Sequence, residues 1–405
     1  MITKETLKEV IILQRNFLDT IEQGTARERW NSIKLEDSFA LIITGIRRSG
    51  KSTFLNQILR KQKKGYYLNF EDPRLEGFEF SDFNKIETVM KEIYGEGGIY
   101  FFDEIQNIEK WEKFIRYLID KKEIILITGS NASLLSKELG TKLTGRHLQI
   151  ELFPFSFREF LSMKKQKPSI KLFGDYLYKG GFPEYLKKEN PTILHELLYD
   201  IVAKDIAVRF GIKNTNVLNK LLVYLISNVG KEFSYNSIKK MFYIKSVQSI
   251  IDYISYFENA YLIFTIPSFS YSYKQQQVNP KKIYSIDNGF SFNNSVSFSK
   301  DKGKMLENLV FLELRQKFRE IFYFKKINEC DFIVKQKEKI ICAIQVCFDL
   351  NEENKNREMN GLLTVLKEFN LKEGLILTYN QKDNFLIDGK KIIIKPVWEW
   401  LMGKQ

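Results

Sequence analysis

The chain has 405 residues, of which 44% are hydrophobic and 28% charged, and it carries a formal net charge of +13. Its length allows two or three domains with their own cores, and its composition excludes a disordered or disulfide-stapled chain. Three cysteines without C-x-x-C spacing argue against zinc, and the lack of a signal-peptide pattern or a membrane-length apolar run predicts a cytoplasmic protein with no membrane contact.

A glycine-rich loop follows an amphipathic helical lead-in that we predict over residues 3 to about 30. The apolar run 40–43 before the loop predicts a buried parallel strand, and residues 53–59 after it predict a helix. The loop fits the phosphate-binding pattern G-x-x-x-x-G-K-[ST], and its predicted nucleotide-binding residues are Gly45, Ile46, Arg47, Arg48, Ser49, Gly50, Lys51, Ser52 and Thr53. Lys51 would reach the β- and γ-phosphates and the Ser52 hydroxyl would bind Mg²⁺. The segment therefore predicts a site for a nucleoside triphosphate with Mg²⁺.

A second apolar strand, residues 98–102, ends in the carboxylates Asp103 and Glu104. Ligands of parallel sheets gather at the carboxyl ends of the strands. We expect Asp103 to lie behind Mg²⁺ and its waters, and Glu104 to orient and deprotonate the attacking water. A third strand, 123–128, ends near Ser130 and Asn131, which would either sense the γ-phosphate or form a turn and cap the next helix. Together these segments predict an α/β P-loop NTPase.

These motifs resemble, in order, those of a large bacterial and archaeal family of AAA-type ATP-binding proteins with an uncharacterised C-terminal region. The likeness extends to Leu-Thr-Gly-Arg at 143–146 and Leu-Phe-Pro-Phe-Ser-Phe-Arg-Glu-Phe at 152–160. The resemblance implies ATP rather than GTP, and it places Ser130 and Asn131 in the sensor 1 region. It also implies that Arg146 reaches a phosphate, in its own subunit or in a neighbouring one of a homo-oligomer, so that the predicted catalytic residues are Lys51, Glu104, Asn131 and Arg146. A surface salt bridge is the alternative role for Arg146.

We expect four parts in the chain. Residues 1–160 would form the AAA-type P-loop ATPase domain with its helical lead-in, and 161–212 a helical linker or lid. Residues 213–295 would form a winged helix-turn-helix domain, and 296–405 an α/β domain like the PD-(D/E)XK nucleases. Within the linker, two glycines and a proline at 180–184 predict a helix–helix corner.

Residues 213–295 have a helix–helix–helix–strand–strand pattern that resembles a winged helix. Between 213 and 287, nine lysines stand against four acidic residues and no arginine. Lysines on the second and third helices and on the wing would suit the phosphates of duplex DNA, without sequence recognition. The net charge favours such an anionic partner, although a lysine-rich genome explains it equally well. The alternatives are a module that packs between domains, and an ATPase that signals to a protein partner.

The last part of the chain carries a predicted helix over 303–325 and strands over 329–334 and 341–347. Glu307 on the helix, and Asp331 and Gln345 on the strands, resemble the metal-binding residues of a restriction-endonuclease core. There Glu307 and Asp331, with Gln345 as a third ligand, would hold a divalent metal that activates water on a phosphodiester.

One residue departs from that resemblance, because Cys347 stands where the nucleases have a lysine. A cysteine is no persistent cation, so an active enzyme would need Lys335 or Lys325 in its place. The sequence thus leaves open an ATP-gated DNA nuclease and a retained fold that has lost this chemistry.

Overall fold

The computed structural model describes residues 1–130, 143, 145–296 and 301–403. The chain divides into two compact units, Met1–Phe153 and Pro154–Gln405. The expected boundaries after residues 212 and 295 fall inside the second unit, and the four-part division stays a prediction. Among the described residues, no helix is long and apolar enough to cross a bilayer.

The first unit contains a five-stranded, fully parallel sheet in the order β2-β3-β4-β1-β5. Strands β1 to β4 are almost entirely buried, which explains why their sequences are continuous apolar runs rather than alternating ones. The strands are β1 Ala40–Thr44, β2 Gly65–Asn69, β3 Ile99–Asp103, β4 Ile125–Gly129 and β5 His147–Glu151. This parallel α/β sheet agrees with the fold predicted for a P-loop NTPase.

Helices cover both faces of this sheet. Alternate strand residues point to opposite faces, so Ile42 packs mainly with α1, α3 and α4, whereas Ile43 packs with α2. The described α-helices are α1 Lys4–Thr20, α2 Lys51–Leu59, α3 Phe83–Tyr94 and α4 Trp111–Asp120. Short 3₁₀ turns occupy Glu28–Ser32, Pro73–Leu75, Phe80–Asp82 and Ile105–Asn107.

The second unit begins with helices that turn at the predicted corner. Gly180 ends α6 with a φ of +69°, and Pro183 begins α7. The predicted helix–helix corner is therefore confirmed, since glycine reaches this φ without strain and proline suits a first helical position. The helices are α5 Phe157–Lys164, α6 Ile170–Lys179, α7 Pro183–Lys188, α8 Thr192–Asp200 and α9 Val208–Phe210, with a π-helical turn at Ile201–Ala207.

Five described helices and a three-stranded antiparallel sheet follow, with strand order β6-β8-β7. Ser234 and Ser246 cap α11 and α12 through their hydroxyls. The elements are α10 Thr215–Ser227, β6 Glu232–Phe233, α11 Tyr235–Met241, α12 Val247–Asn259, β7 Ile263–Pro267, α13 Tyr273–Val278, β8 Lys281–Ser285 and α14 Asn288–Asn294. The expectation of lysines on the third helix is wrong, because α12 contains none and Lys245 lies in the turn before it.

A mixed six-stranded sheet completes the unit, in the order β13-β14-β12-β11-β10-β9. The elements are α15 Lys302–Lys317, β9 Glu320–Lys325, β10 Glu329–Gln336, β11 Lys339–Val346, α16 Glu352–Glu368, β12 Glu373–Thr378, β13 Asp383–Ile387, β14 Lys390–Pro396 and α17 Val397–Leu401. The predicted helix over 303–325 is wrong beyond Lys317, because the chain turns there and β9 pairs with β10. The central turns of α15 are buried on all sides, which is typical of a core helix.

The close approach at Gly181 gives a stability prediction. A Cβ at this position would lie 2.1 Å from the Phe155 carbonyl oxygen and 2.7 Å from the Phe155 amide nitrogen. Backbone atoms cannot move aside as a side chain can, so Gly181→Ala should lower the free energy of unfolding by about 3 kcal/mol. Urea unfolding of the full chain measures this loss.

Gly303→Ala is the matched control. Its nearest neighbour is a side-chain atom, the Asp301 carboxylate oxygen that caps α15, at 3.3 Å, so we expect a change of no more than about 1 kcal/mol in either direction. Equal losses in the two variants would contradict the steric explanation.

Candidate functional site

The P-loop lies at the carboxyl end of β1 and requires glycine at two positions. Gly45 has a φ of +150°, and a Cβ there would lie 2.1 Å from the Leu152 carbonyl oxygen. Gly50 caps α2 with a φ of +96°. The loop is therefore packed against the segment after β5, and its shape turns the first amides of α2 toward the same edge of the sheet.

Lys51 is the first residue of α2 and is buried. Its Nζ donates to the carbonyl oxygens of Gly45 at 3.1 Å and Ile46 at 3.2 Å, and lies 3.8 Å from a Glu104 carboxylate oxygen. The ammonium is thus held between the loop and the acid at the end of β3. This position brings together the two predicted residues that need to act on one phosphate.

Asp103 ends β3 and is fully buried among hydroxyl groups. Tyr67 donates to its Oδ2 at 3.1 Å, Thr128 donates to its Oδ1, and Ser52 shares a further hydrogen bond with it. Burial raises the pKa of this carboxyl group, and the nearby Glu104 charge raises it further. The Ser52 hydroxyl and the Asp103 carboxylate are hard oxygen donors side by side, the kind of pair that Mg²⁺ prefers.

Glu104 has a left-handed backbone conformation with a φ of +50°. Its amide donates to Thr128 Oγ1 at 3.1 Å, and its carboxylate accepts from the Ser130 amide at 3.2 Å and from Gln106. A non-glycine residue held at positive φ costs about 1–2 kcal/mol. The strain turns the Glu104 side chain away from the strand direction and toward the P-loop lysine.

A third carboxylate, Glu71, lies close to this edge two residues after β2. It pairs with Arg47 of the P-loop at 3.4 Å. Burial raises the pKa of Glu71, with a second contribution from the Glu104 charge. The acidic edge of the sheet is therefore larger than the pair that ends β3.

Arg27 is buried behind the P-loop and was not singled out from the sequence. One guanidinium nitrogen donates to the Ser49 carbonyl oxygen at 2.8 Å, and another donates to the Phe153 carbonyl oxygen at 2.5 Å. Charge-assisted bonds of this kind are about twice as strong as neutral ones. Arg27 thus ties the phosphate loop to the end of the segment that follows β5.

Arg146 does not lie at the nucleotide site of its own chain. It precedes β5, and its carbonyl oxygen accepts from the amide of Ala40, the first residue of β1, whereas the P-loop follows the last residue of β1. The exposed guanidinium pairs with Asp120 at 2.6 Å. The prediction that Arg146 reaches a phosphate within its own subunit is therefore wrong, because the length of the strands separates Arg146 from the P-loop. Its action on a phosphate in a neighbouring subunit stays a prediction. Asn131 lies outside the described residues.

The structure also brings Glu307 and Asp331 together, although not around an open position. Lys282 of β8 lies between them, with its Nζ 3.3 Å from Glu307 Oε1 and 2.9 Å from Asp331 Oδ1. The expectation that Lys282 contacts DNA phosphates is wrong, because this side chain is only 2% exposed. Among the described residues, no group of three or more His, Cys, Asp or Glu side chains could hold a metal ion.

Gln345 does not turn its amide oxygen toward that pair. The oxygen accepts from the Asp331 amide at 3.1 Å, and the amide nitrogen donates to Glu358. Glu307, Asp331 and Gln345 line a cavity of about 560 Å³. Cys347 borders this cavity, as does Lys325, which pairs with Glu232. Lys335 pairs with Glu320 and is not among the cavity's lining residues.

Two of the residues missed in the sequence carried a usable signal. Thr128 is a polar residue at the end of an apolar strand, and a position beside the β3 carboxylates could have been expected for it once the strand order was known. Tyr67 lies in the middle of β2, level with Phe101, and its hydroxyl in an otherwise apolar strand is a comparable signal. Arg27 and Lys282 gave no signal in the sequence, because each contacts residues that are distant from it along the chain.

A comparison with protein-family models matches residues 37–161 to an AAA domain and residues 170–294 to a domain of unknown function. An uncharacterised protein of Methanocaldococcus jannaschii is 38% identical over 438 aligned residues, which cover 99% of this chain and 96% of the relative. An uncharacterised protein of Haemophilus influenzae is 32% identical and covers 91% of this chain and 96% of its own length.

Among solved structures, AMPPCP-bound DnaA from Aquifex aeolicus matches 64% of this chain and 89% of its own with 14% identity and a TM-score of 0.29. PCH-2 of C. elegans matches 63% of this chain and 66% of its own with 13% identity and a TM-score of 0.21. Scores this low support no conclusion about the present fold.

The contacts of Arg27 predict that Arg27→Met weakens triphosphate binding by about tenfold and lowers the free energy of unfolding by about 2–3 kcal/mol. Methionine fills similar space but leaves two buried carbonyl groups without a charged donor. Titration calorimetry with an ATP analogue and urea unfolding measure the two effects.

Arg116→Met serves as the control, because Arg116 is exposed on α4. We expect it to change neither quantity. A normal affinity in Arg27→Met would mean that the P-loop does not need this brace.

Proposed function

This chain belongs to the bacterial and archaeal family of P-loop AAA-type ATPases with a C-terminal region of unknown function, and from that premise we propose that it hydrolyses ATP with Mg²⁺ and couples hydrolysis to binding of duplex DNA. The observation that carries the ATPase proposal is the convergence of Lys51, Ser52, Asp103 and Glu104 at one edge of the parallel sheet.

Each of these side chains has a distinct task in the proposed reaction. Lys51 would leave the carbonyl oxygens of its loop and neutralise charge on the β- and γ-phosphates. Ser52 and Asp103 would hold Mg²⁺, which supplies charge neutralisation between the phosphates when it is bound. Because Asp103 already has hydroxyl partners on both oxygens, its carboxylate is held in one orientation.

Glu104 is the proposed general base for the attacking water. Its carboxylate is fixed by the Ser130 amide and by Gln106, and its own amide is fixed by Thr128. Because the Glu104 side chain is already held in place, it loses little further conformational entropy when water binds beside it. Since Ser130 follows β4, any movement of that strand end on release of phosphate would also move Glu104.

The DNA part of the proposal rests on the domain of α10 to β8. Its order of three helices and a small antiparallel sheet supports a winged helix-turn-helix. The segment 233–251 contains Lys239, Lys240 and Lys245 and no acidic residue. Lys240 and Lys245 are exposed beside the almost fully exposed Tyr243. This surface suits contacts with phosphates, without reading of bases.

One observation favours a second candidate, an ATPase that signals to a protein partner. In helix-turn-helix proteins the helix in the position of α12 enters the major groove, yet α12 has no lysine and carries Asp252 on its partly exposed surface. An acidic side chain there would face DNA phosphates unfavourably. The two candidates differ in whether DNA changes the rate of hydrolysis.

Steady-state ATP hydrolysis with Mg²⁺, measured with and without duplex DNA, tests both steps. We expect DNA to stimulate the wild-type protein, and Glu104→Gln to lower kcat by about 100-fold or more, because glutamine keeps the size of the side chain but cannot accept the proton. The variant should still bind ATP.

Hydrolysis that persists in Glu104→Gln would remove Glu104 from the mechanism. Hydrolysis that requires Glu104 but does not respond to DNA would support the protein-partner candidate instead.

Arg146→Ala tests whether Arg146 acts on a neighbouring subunit. If it does, the variant loses ATPase activity and regains part of it when mixed with Glu104→Gln, because the Glu104→Gln subunit supplies the missing arginine.

The lysine surface gives a separate binding prediction. The variant with alanine at Lys239, Lys240 and Lys245 should bind duplex DNA more weakly for all sequences, and the slope of log K against log salt should fall by up to about 3 units, because each lost phosphate contact releases one counterion fewer. Fluorescence anisotropy at several salt concentrations measures the slope.

The control variant replaces Lys337, Lys339 and Lys372, which are exposed at the turns of the six-stranded sheet. It has the same net charge as the test variant. Equal weakening of DNA binding by the two variants would point to overall charge rather than to the proposed surface.

A further inference from the structure

Lys282 is a charged residue buried between two parts of the second unit. It lies on β8 of the three-stranded sheet, whereas the carboxylates around it belong to α15 and β10. Its Nζ is 2.8 Å from Glu329, 2.9 Å from Asp331 and 3.3 Å from Glu307. A lysine so deeply buried is rare unless its charge is paired.

Every oxygen of the two buried carboxylates has a donor from the protein. Glu307 Oε1 accepts from Lys282 and from the Tyr284 hydroxyl at 2.7 Å, and Glu307 Oε2 accepts from Lys304 at 2.8 Å. Asp331 Oδ1 accepts from Lys282, and Asp331 Oδ2 accepts from the Val346 amide at 3.0 Å. Lys282 therefore contacts one oxygen of each acid, and the remaining oxygen of each is held by another donor of the protein.

The two buried carboxylates of this cluster are matched by two ammonium groups. Glu307 and Asp331 face Lys282 and Lys304, whereas the third carboxylate, Glu329, is 40% exposed and faces solvent as well as Lys282.

Packing holds β8 in this place. Tyr284, two residues after Lys282, is fully buried and stacks on Phe311 of α15 with ring centroids 4.3 Å apart. Asn308 of α15 exchanges hydrogen bonds with both backbone groups of Ser285. The ammonium thus arrives on a strand that is fixed at several points to the helix that carries Glu307.

We infer that Lys282 occupies the cation position of the Glu307–Asp331 pair, so that the C-terminal α/β domain binds no divalent metal there while β8 is in place. A divalent cation needs oxygen ligands at about 2.0–2.6 Å, and it would lie within about 3 Å of the ammonium that already contacts the same oxygens. The residues present do not fit the metal that the nuclease resemblance implies. The pair instead links the three-stranded sheet to the six-stranded sheet.

Binding of Mn²⁺ to the full chain without nucleotide tests this inference. Electron paramagnetic resonance of free Mn²⁺ gives the number of ions bound by the wild type, Lys282→Met, Lys282→Arg and the double variant Lys282→Met with Asp331→Asn. We expect Lys282→Met to bind one Mn²⁺ more than the wild type, and the other two variants to match the wild type. Mn²⁺ should also raise the Tm of Lys282→Met alone.

Any Mn²⁺ bound at the P-loop site is the same in all four proteins, so only differences in the number of bound ions between them report on the Lys282 cluster. A folded Lys282→Met that binds no additional ion would overturn the inference.

Lys282→Met leaves two buried carboxylates short of a cation, which lowers its stability. If this variant does not fold, Asp331→Asn in an otherwise wild-type chain decides the question. Unchanged Mn²⁺ stoichiometry supports the inference, and loss of one bound ion overturns it.

Discussion

The parallel register of β1, β3 and β4 is the constraint on which the nucleotide site depends. It places the ends of three strands side by side, so that the P-loop, the Asp103–Glu104 pair and Thr128 meet although long stretches of sequence separate them. The two faces of the sheet pack against different helices, so a slip of one residue would move every side chain into the wrong layer of the core. Packing of the core therefore sets the geometry of the proposed catalytic edge.

In the second unit, the corresponding constraint is electrostatic. Two carboxylates buried without counterions would cost several kcal/mol each, and Lys282 and Lys304 remove most of that cost. Because the lysine and the acids come from different elements, the pairing also fixes which surfaces meet. The ionic cluster thus specifies an arrangement rather than adding much to stability.

Local patterns were sufficient to predict the parallel sheet, the P-loop and the β3 acid pair. They failed where a residue acts across the fold. No local pattern shows that Arg146, just before β5, lies at the opposite end of the strands from the P-loop. This position follows from the parallel pairing of β5 with β1. Likewise, nothing near Lys282 in the sequence reveals Asp331, 49 residues away. The helix predicted past Lys317 failed because both helices and strands can be continuously apolar.

The two buried acid pairs contain the same kinds of residue and have opposite consequences. Near the P-loop, Lys51 stays 3.8 Å from Glu104 and donates its hydrogen bonds to backbone carbonyl oxygens, which a phosphate can replace. In the C-terminal cluster, Lys282 contacts the carboxylates directly. A lysine that an incoming anion can recruit suits chemistry, whereas one already paired with carboxylates suits a structural role. The placement of the lysine, rather than the acids themselves, distinguishes the proposed catalytic edge from the cluster that we infer to be structural.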